Sequence, residues 1–164
     1  MKVIKEIDND GLLLCKLQAR TFELSAQKIT SSSRIFIRRF MNSTIATEFD
    51  STAILNYPFG EEDVIKSIEE EYGKTNYGTD KYSTEVLYWI GYIYRYFSYT
   101  FDISSKIAYK LVKPIELKEV FLPYHTLDPS QAIERILEAK HLLLSDEEEI
   151  QRQLNIMKKV RNIQ

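Results

Sequence analysis

The side chains best suited to acid–base chemistry are the two histidines of the chain, His125 and His141. Imidazole can take up and release a proton near neutral pH, so either residue could act as a general acid or base. A metal site would need further ligands at short spacing, and no His or Cys cluster in the sequence has that spacing. The sequence also lacks a glycine-rich phosphate loop and a nucleophile elbow. We therefore predict no metal and no cofactor.

One spacing around His141 could support catalysis. His141 lies six residues after Arg135 in 135-RILEAKH-141. This R-x5-H pattern is similar to an element of the helical ribonucleases called HEPN domains, in which the histidine is the acid or base and the arginine binds phosphate. Those domains usually have a polar residue after the arginine, whereas Ile136 follows it here. A ribonuclease that uses Arg135 and His141 is thus one alternative, but we expect that the chain is not an enzyme.

His125 lies in a different setting, the segment 121-FLPYHTLDP-129. Pro123 and Pro129 flank Tyr124 and His125, which predicts a rigid connector between two helices. We expect His125 to bond a backbone carbonyl in a packed turn. The alternative is that Tyr124 and His125 are held on a fixed loop as a recognition surface.

The segment 88-YWIGYIYRYFSYTF-101 has eight aromatic residues and one charge. As a helix that begins near Ser83, it has apolar groups on nearly every side, which is typical of a helix at the centre of a core. Gly91 would let another helix approach closely. The segment is too short, and its neighbours too charged, for a membrane span.

Arg95 is the single charge of this segment, and two hypotheses explain it. A buried arginine needs an acid, a carbonyl or a tyrosine face, and an internal acid would make its role structural. An exposed Arg95 beside Tyr88, Tyr92 and Tyr99 would instead form a partner-binding surface, because tyrosine and arginine often anchor protein interfaces.

Composition and charge predict one intracellular globular domain over residues 1–164. Apolar residues make up 44% and charged residues 28% of the chain, which is ordinary for a globular protein. There is no long apolar segment and no signal-peptide pattern, so we expect no membrane partner and a cytoplasmic location. The lone Cys15 lies among leucines and is expected to be buried.

The net charge of −2 argues against nucleic acid as a partner. Arg34, Arg38 and Arg39 form the only local positive cluster. We interpret it as a patch for an acidic partner or as a set of surface ion pairs. A nucleic-acid-binding regulator that uses a helix with these arginines is the further alternative.

Helix punctuation predicts an all-α, multi-helix bundle of about seven helices around the aromatic helix. Residues 50–60 are expected to form a loop because Pro58 and Gly60 interrupt them. The segments with helical signals are residues 11–28, 34–49, 61–72, 83–101, 103–112, 114–122, 128–136 and the C-terminal segment, and the shortest of them need not each form a separate helix. The predicted N-caps are Ser31–Ser33, Ser83, Asp102 or Ser104, Asp128 with Pro129 and Gln131, and Ser145 with Glu148.

Residues 145–164 are expected to form a C-terminal amphipathic helix. Its apolar residues Ile150, Leu154, Met157 and Val160 are spaced by 4, 3 and 3 positions. Acids open this helix and basic residues close it, which matches the helix dipole. The stripe could pack on the rest of the chain, pair with a second copy in a homodimer, or lie in a partner's groove, and the sequence leaves all three open.

Three segments resemble one group of small proteins from Firmicutes. They are 35-IFIRRFMNS-43, residues 69–96 and residues 113–136, so that the resemblance covers about residues 31–139. Genes of this group tend to lie beside short toxin-like genes, some of ADP-ribosyltransferase type, and the proteins are regarded as antitoxin-like partners. The resemblance implies a non-enzymatic protein that docks on a toxin and covers its active cleft. It implies no catalytic residues.

Overall fold

The computed structural model describes residues 1–143 and 146–163, and these residues form helices without any β-strand. The predicted all-α fold is confirmed. The described residues form nine α helices and one short 3-10 helix, η1. They are α1 (Asn9–Lys28), α2 (Ser33–Met41), α3 (Thr44–Asp50), η1 (Ala53–Asn56), α4 (Glu61–Tyr72), α5 (Thr84–Phe101), α6 (Ser105–Leu111), α7 (Pro114–Tyr124), α8 (Pro129–Ala139) and α9 (Asp146–Ile163). Among these helices, none has the length and apolar content needed to cross a bilayer.

The helix starts follow the predicted caps. The hydroxyl oxygens of Ser32, Ser83 and Ser104 accept hydrogen bonds from the backbone N–H three residues later, at 3.2–3.3 Å. Asp128 caps α8 with Pro129 in the first position, although its carboxylate accepts from Ser130 and not from Gln131. The predicted cap at Ser145 lies outside the described residues.

The segment 34–49, expected as one helix, forms two. Ser43 accepts a hydrogen bond from the Ala46 N–H at 3.1 Å and starts α3. The Asn42 side-chain amide donates to the Arg38 carbonyl at 2.8 Å, which closes the end of α2. Residues 50–60 are mostly irregular as predicted, but Ala53–Asn56 form η1.

Helix α5 is central because it packs along α1 and also contacts α6, α7 and α8. Gly91 permits this approach: a methyl group there would lie 2.9 Å from the Gln18 carbonyl oxygen and from the Phe22 ring, and 3.0 Å from the Ala19 Cα. The expected role of Gly91 is confirmed. The Phe40 ring packs edge to face on Phe22 and on Phe49, with ring centroids 5.1 and 5.5 Å apart.

Cys15 belongs to this core and is fully buried, as predicted. Burial raises the pKa of its thiol to about 12, so the reactive thiolate is disfavoured at neutral pH.

Candidate functional site

Arg95 is buried at the centre of the fold, with 1% of its surface exposed. Its guanidinium donates from Nε to Gln18 Oε1 at 2.7 Å, from Nη1 to Asp50 Oδ1 at 2.8 Å and from Nη2 to the Ser105 hydroxyl at 2.6 Å. A further bond from Nη1 reaches the Ser98 hydroxyl at 3.2 Å. Together these bonds tie α5 to α1, α3 and α6.

Asp50 is the internal acid that the structural hypothesis required. Its Oδ1 also accepts the Ser105 hydroxyl at 2.7 Å, and both oxygens accept the Ser105 N–H at 3.1 Å. Burial lowers the pKa of Arg95, whereas the Asp50 carboxylate opposes that change. The expectation that Arg95 belongs to a partner-binding surface is therefore corrected: Arg95 is a structural residue, because it is buried and its donors are directed to acceptors within the chain.

The tyrosines expected around Arg95 lie half-buried on α5 and form no exposed cluster with it. Tyr88 stacks on Tyr92 with ring centroids 6.5 Å apart, and burial raises the pKa of Tyr92 to about 12. The Tyr99 hydroxyl donates to Asp8 Oδ1 at 2.6 Å, and the Lys5 ammonium lies 4.0 Å from the Tyr99 ring centre. These contacts anchor the N-terminal segment to α5.

The two neighbouring arginines of α2 are separated in space. The Arg39 Nη1 donates to the Gly73 carbonyl at 2.8 Å, and its guanidinium lies 5.3 Å from the Tyr72 ring centre. Arg38 is exposed and lines a groove on another side of the helix. The three arginines of the predicted positive cluster therefore do not act together. Arg39 is held by the end of α4, whereas Arg34 and Arg38 face a groove.

This groove, which we name the basic groove, has a volume of about 500 Å³. It lies between α2, the connector of residues 73–83 and the start of α7. Three cations and one carboxylate line it, together with two tyrosines and an apolar floor. The lining side chains include Arg34, Arg38, Lys113, Asp80, Tyr77, Tyr109, Ile35, Pro114 and Ile115.

The connector of residues 73–83 is held against α2 by backbone bonds. The Ser32 N–H donates to the Tyr77 carbonyl at 3.1 Å and the Ser33 N–H to the Asp80 carbonyl at 3.0 Å. Gly78 lies between them with φ of 77°, and a methyl group there would meet the Ser32 side chain at 2.8 Å. Only glycine tolerates both the left-handed backbone and the close approach, so Gly78 fixes one wall of the groove.

Tyr77 is the most exposed aromatic residue of this wall, with 75% of its surface accessible. Across the groove, the Lys113 ammonium lies 4.2 Å from the Tyr109 ring centre. Arginine and tyrosine are the residue types most enriched where protein interfaces gain their binding energy. The basic groove thus combines an exposed aromatic anchor with a net positive charge, in a chain whose net charge is −2.

A second groove of about 570 Å³ along α4 is less suited to recognition. Three lysines and three glutamates line it, so its charges balance, and Ile65 is its one apolar side chain. Long charged side chains of this kind are usually solvated and mobile.

Tyr124 and His125 lie at the end of α7. Pro123, expected in the connector, is inside the last turn of the helix, so the connector is shorter than predicted. His125 Nδ1 donates to the Phe121 carbonyl at 2.8 Å, and the imidazole stacks on the Phe121 ring with centroids 4.4 Å apart. The expected bond to a backbone carbonyl is confirmed.

Arg135 and His141 are both exposed; Arg135 lies within α8, and His141 follows the C-terminal end of that helix. His141 has φ of 57° and lies just beyond the helix. The His141 N–H donates to the Glu138 carbonyl at 3.0 Å and the Leu142 N–H to the Leu137 carbonyl at 2.9 Å. These two bonds form a Schellman motif, so His141 ends the helix in a conformation usually taken by glycine. Among the residues that the structure describes, no group of three His, Cys, Asp or Glu side chains could hold a metal ion.

Sequence reasoning did not single out Tyr77, Tyr109 or Lys113 as a site. Tyr77 lies in the connector, whereas Tyr109 and Lys113 are four residues apart around the end of α6, so only tertiary packing brings Tyr77 beside the other two. The connector contains two tyrosines, Tyr77 and Tyr82, and the sequence does not distinguish the exposed Tyr77 from the buried Tyr82. In comparisons with protein-family models, with curated proteins and with solved structures, the chain has no significant match.

Proposed function

We propose that the chain is a non-enzymatic protein-interaction module that binds and covers a partner protein, in the manner of an antitoxin. The observation that carries this proposal is the basic groove, in which Arg34, Arg38 and Tyr77 are exposed on a fixed wall. Such a groove suits an acidic segment of a partner protein. If a segment of the partner binds in the groove, the body of this chain would cover the partner surface from which that segment projects.

The lining of the groove favours a protein over a nucleic acid. Ile35, Pro114 and Ile115 give it an apolar floor, and Ile115 is 43% exposed. Apolar floors with a polar rim are typical of protein interfaces. The Asp80 carboxylate on the same wall would repel a phosphate backbone, whereas a peptide can place a lysine or a backbone N–H beside it.

The cations of the groove define the chemistry of the expected partner. Arg34 and Arg38 lie one helical turn apart on α2, where their guanidinium groups can each bind a carboxylate in a bidentate manner. Lys113 adds a third positive charge from the start of α7. We therefore expect two or more Asp or Glu side chains in the partner segment, next to an apolar residue that contacts Tyr77.

Co-expression with the product of the neighbouring gene tests the function. We expect a complex that survives gel filtration, and rescue of cell growth when that product is toxic alone. Absence of both a complex and rescue would contradict the function itself.

The groove is tested separately by matched variants. Arg38→Glu and Tyr77→Ala should each weaken the complex by about tenfold or more, because arginine and tyrosine anchors commonly lose at least 1.4 kcal/mol on removal. Arg135→Glu and Tyr57→Ala are the controls, since both residues are exposed outside the groove. A complex that forms but is equally insensitive to all four variants would retain the function and exclude this surface.

The two alternatives predict different measurements. A ribonuclease would cleave RNA and lose that activity on His141→Ala. A nucleic-acid-binding regulator would retard DNA at low salt, and Arg38→Ala combined with Arg39→Ala would weaken this binding. In this structure Arg39 is held by Gly73 and Tyr72, so the nucleic-acid alternative has fewer cations available than the sequence suggested.

A further inference from the structure

Helix α9 exposes its apolar side chains. Its stripe consists of Ile150, Leu154, Met157 and Val160, and between 45% and 58% of the surface of each is accessible. Ile156 beside the stripe is 50% exposed. The opposite side of the helix is polar, and there the Gln151 amide donates to Asn155 Oδ1 at 3.1 Å. An amphipathic helix of this kind is stable when another apolar surface covers its stripe.

The described part of the chain does not supply that cover. The helices that pack closely on one another lie in the region before residue 143, and α9 does not pack along any of them. The core of the bundle contains no side chain of α9 among its described residues. Within the described part of the chain the stripe therefore has no apolar cover, and an apolar surface of another molecule would supply one.

The charges of α9 are arranged for pairing with a copy of itself. In the sequence, the four residues 146–149 are all acidic, and three of the four residues 158–161 are basic. If two α9 helices lie antiparallel, the acidic end of each faces the basic end of the other, and the two stripes face each other along their whole length. A parallel pair would instead place acids beside acids and lysines beside lysines.

We infer that the protein forms a homodimer in which α9 pairs antiparallel with α9 of a second copy. The arrangement is isologous, because a two-fold axis that passes near residue 155 exchanges the two helices. It opposes Ile150 to Val160 of the second copy, and Leu154 to Met157. All four apolar positions are then covered by one symmetric contact, in which Arg161 lies opposite the acidic residue Glu149 of the second copy.

Light scattering after gel filtration of the full chain tests the dimer. We expect a mass of twice the 19.3 kDa of the chain. Leu154→Glu should raise the dissociation constant by about 100-fold or more, because each dimer then places two carboxylates in the apolar contact. Leu122→Glu is the matched control: Leu122 is 78% exposed on α7, and this variant should remain dimeric. Circular dichroism of both variants checks that the helices persist.

The antiparallel direction is tested by cross-linking. Ile150→Cys and Val160→Cys are prepared as separate variants, mixed and oxidised. We expect disulfides between residue 150 of one copy and residue 160 of the other. Ile150→Cys alone should not cross-link, since its two copies would lie about 15 Å apart, beyond the reach of a disulfide. Cys15 is fully buried, so the unmodified chain provides the blank.

A wild-type chain that stays monomeric at all concentrations would overturn the dimer and would leave the stripe for a different protein. Efficient cross-linking of Ile150→Cys with itself would overturn the antiparallel arrangement. Equal dissociation by Leu122→Glu and Leu154→Glu would show that the contact lies elsewhere. None of these results depends on the basic groove or on capture of a toxin, so the failure of this inference is distinct from the failure of the proposed function.

Discussion

Arg95 and Arg20 differ in burial but are otherwise comparable, because each is a helical arginine with one carboxylate partner. Arg95 is buried beside Asp50, whereas the Arg20 side chain is 46% exposed and its Nε lies 3.5 Å from Glu61 Oε2. We predict that Arg95→Met lowers the free energy of unfolding by about 3 kcal/mol, because the Asp50 carboxylate then remains largely buried without its cation. Arg20→Met should change it by less than about 1 kcal/mol.

Urea denaturation followed by circular dichroism measures both variants. Similar small losses in the two would mean that water reaches Asp50 and replaces the guanidinium. Asp50→Asn combined with Arg95→Met should recover part of the loss, because the uncompensated charge is then removed. Recovery in this double variant would assign the loss to the unpaired charge and not to the change in side-chain shape.

From the sequence, the role of Arg95 could be predicted only conditionally: it is structural if it is buried beside an acid, and part of a binding surface if it is exposed. The aromatic composition of 88–101 predicted a buried helix, and burial of a charge predicted an acid nearby. Its identity could not be predicted, because Asp50 lies 45 residues earlier in the chain and the pairing depends on how α3 meets α5. The cap of the same helix by Ser83 was easier to predict, because a cap depends on only a few neighbouring residues.

At the scale of elements, helix starts depend on neighbouring residues and were predictable, whereas the paths of the connectors depend on distant residues and were not. The starts of α2, α5, α6 and α8 were predictable because serine or aspartate directly precedes each helix. The break at Ser43 was missed, since the apolar spacing continues through it. The path of residues 73–83 could not be predicted, because the bonds of Tyr77 and Asp80 to α2 join distant segments.

Glu116 connects two elements and makes their contact sensitive to acid. It accepts the Lys113 N–H at 2.6 Å in the first turn of α7 and forms an ion pair with Lys140 at the end of α8. Burial alone would raise the pKa of Glu116, but the Lys140 and Lys113 bonds hold it below its usual value of 4.5. A lowered pKa in the folded state means that the folded protein favours the charged form. The resulting stability is present above pH 4.5 and is lost as the pH falls through the folded-state pKa.

We therefore predict that Glu116→Gln lowers the free energy of unfolding at pH 7, and that the gap from wild type narrows as the pH falls below 4.5. The glutamine stays neutral, so the variant lacks this part of the acid dependence. The effect should be modest because the Glu116 side chain is 36% exposed. Glu119→Gln, at an exposed position of the same helix, provides the comparison. A gap that stays constant from pH 7 to pH 3 would show that charge at Glu116 is unimportant.

At the scale of the whole molecule, the core and the two proposed recognition surfaces lie in different places. The core comes from the helices α1 to α8, with α5 between them, whereas the basic groove and the α9 stripe lie on the surface. The residues that line the groove lie in α2, the connector and the α6–α7 region, so the proposed α9 contact uses different residues from the groove. A dimer that binds two partner molecules follows from the two proposals together.

This separation predicts how two leucines differ. Leu87 on α5 is fully buried, whereas Leu154 on α9 is 45% exposed. Leu87→Ala should lower the free energy of unfolding by about 2–5 kcal/mol, because it removes buried methyl groups and leaves a cavity. Leu154→Ala should change it by less than about 0.5 kcal/mol when the chain is dilute enough to be monomeric.

Urea denaturation at two protein concentrations decides this prediction. At high concentration the wild-type midpoint should rise, because dimerisation stabilises the folded chain by mass action, and Leu154→Ala should reduce this rise. For Leu87→Ala, the urea midpoint should be lower than that of the wild type at both concentrations, and it should rise with concentration by the same amount. A large loss for Leu154→Ala in the dilute monomer would place α9 in the core of its own chain and would contradict the separation of stability from recognition.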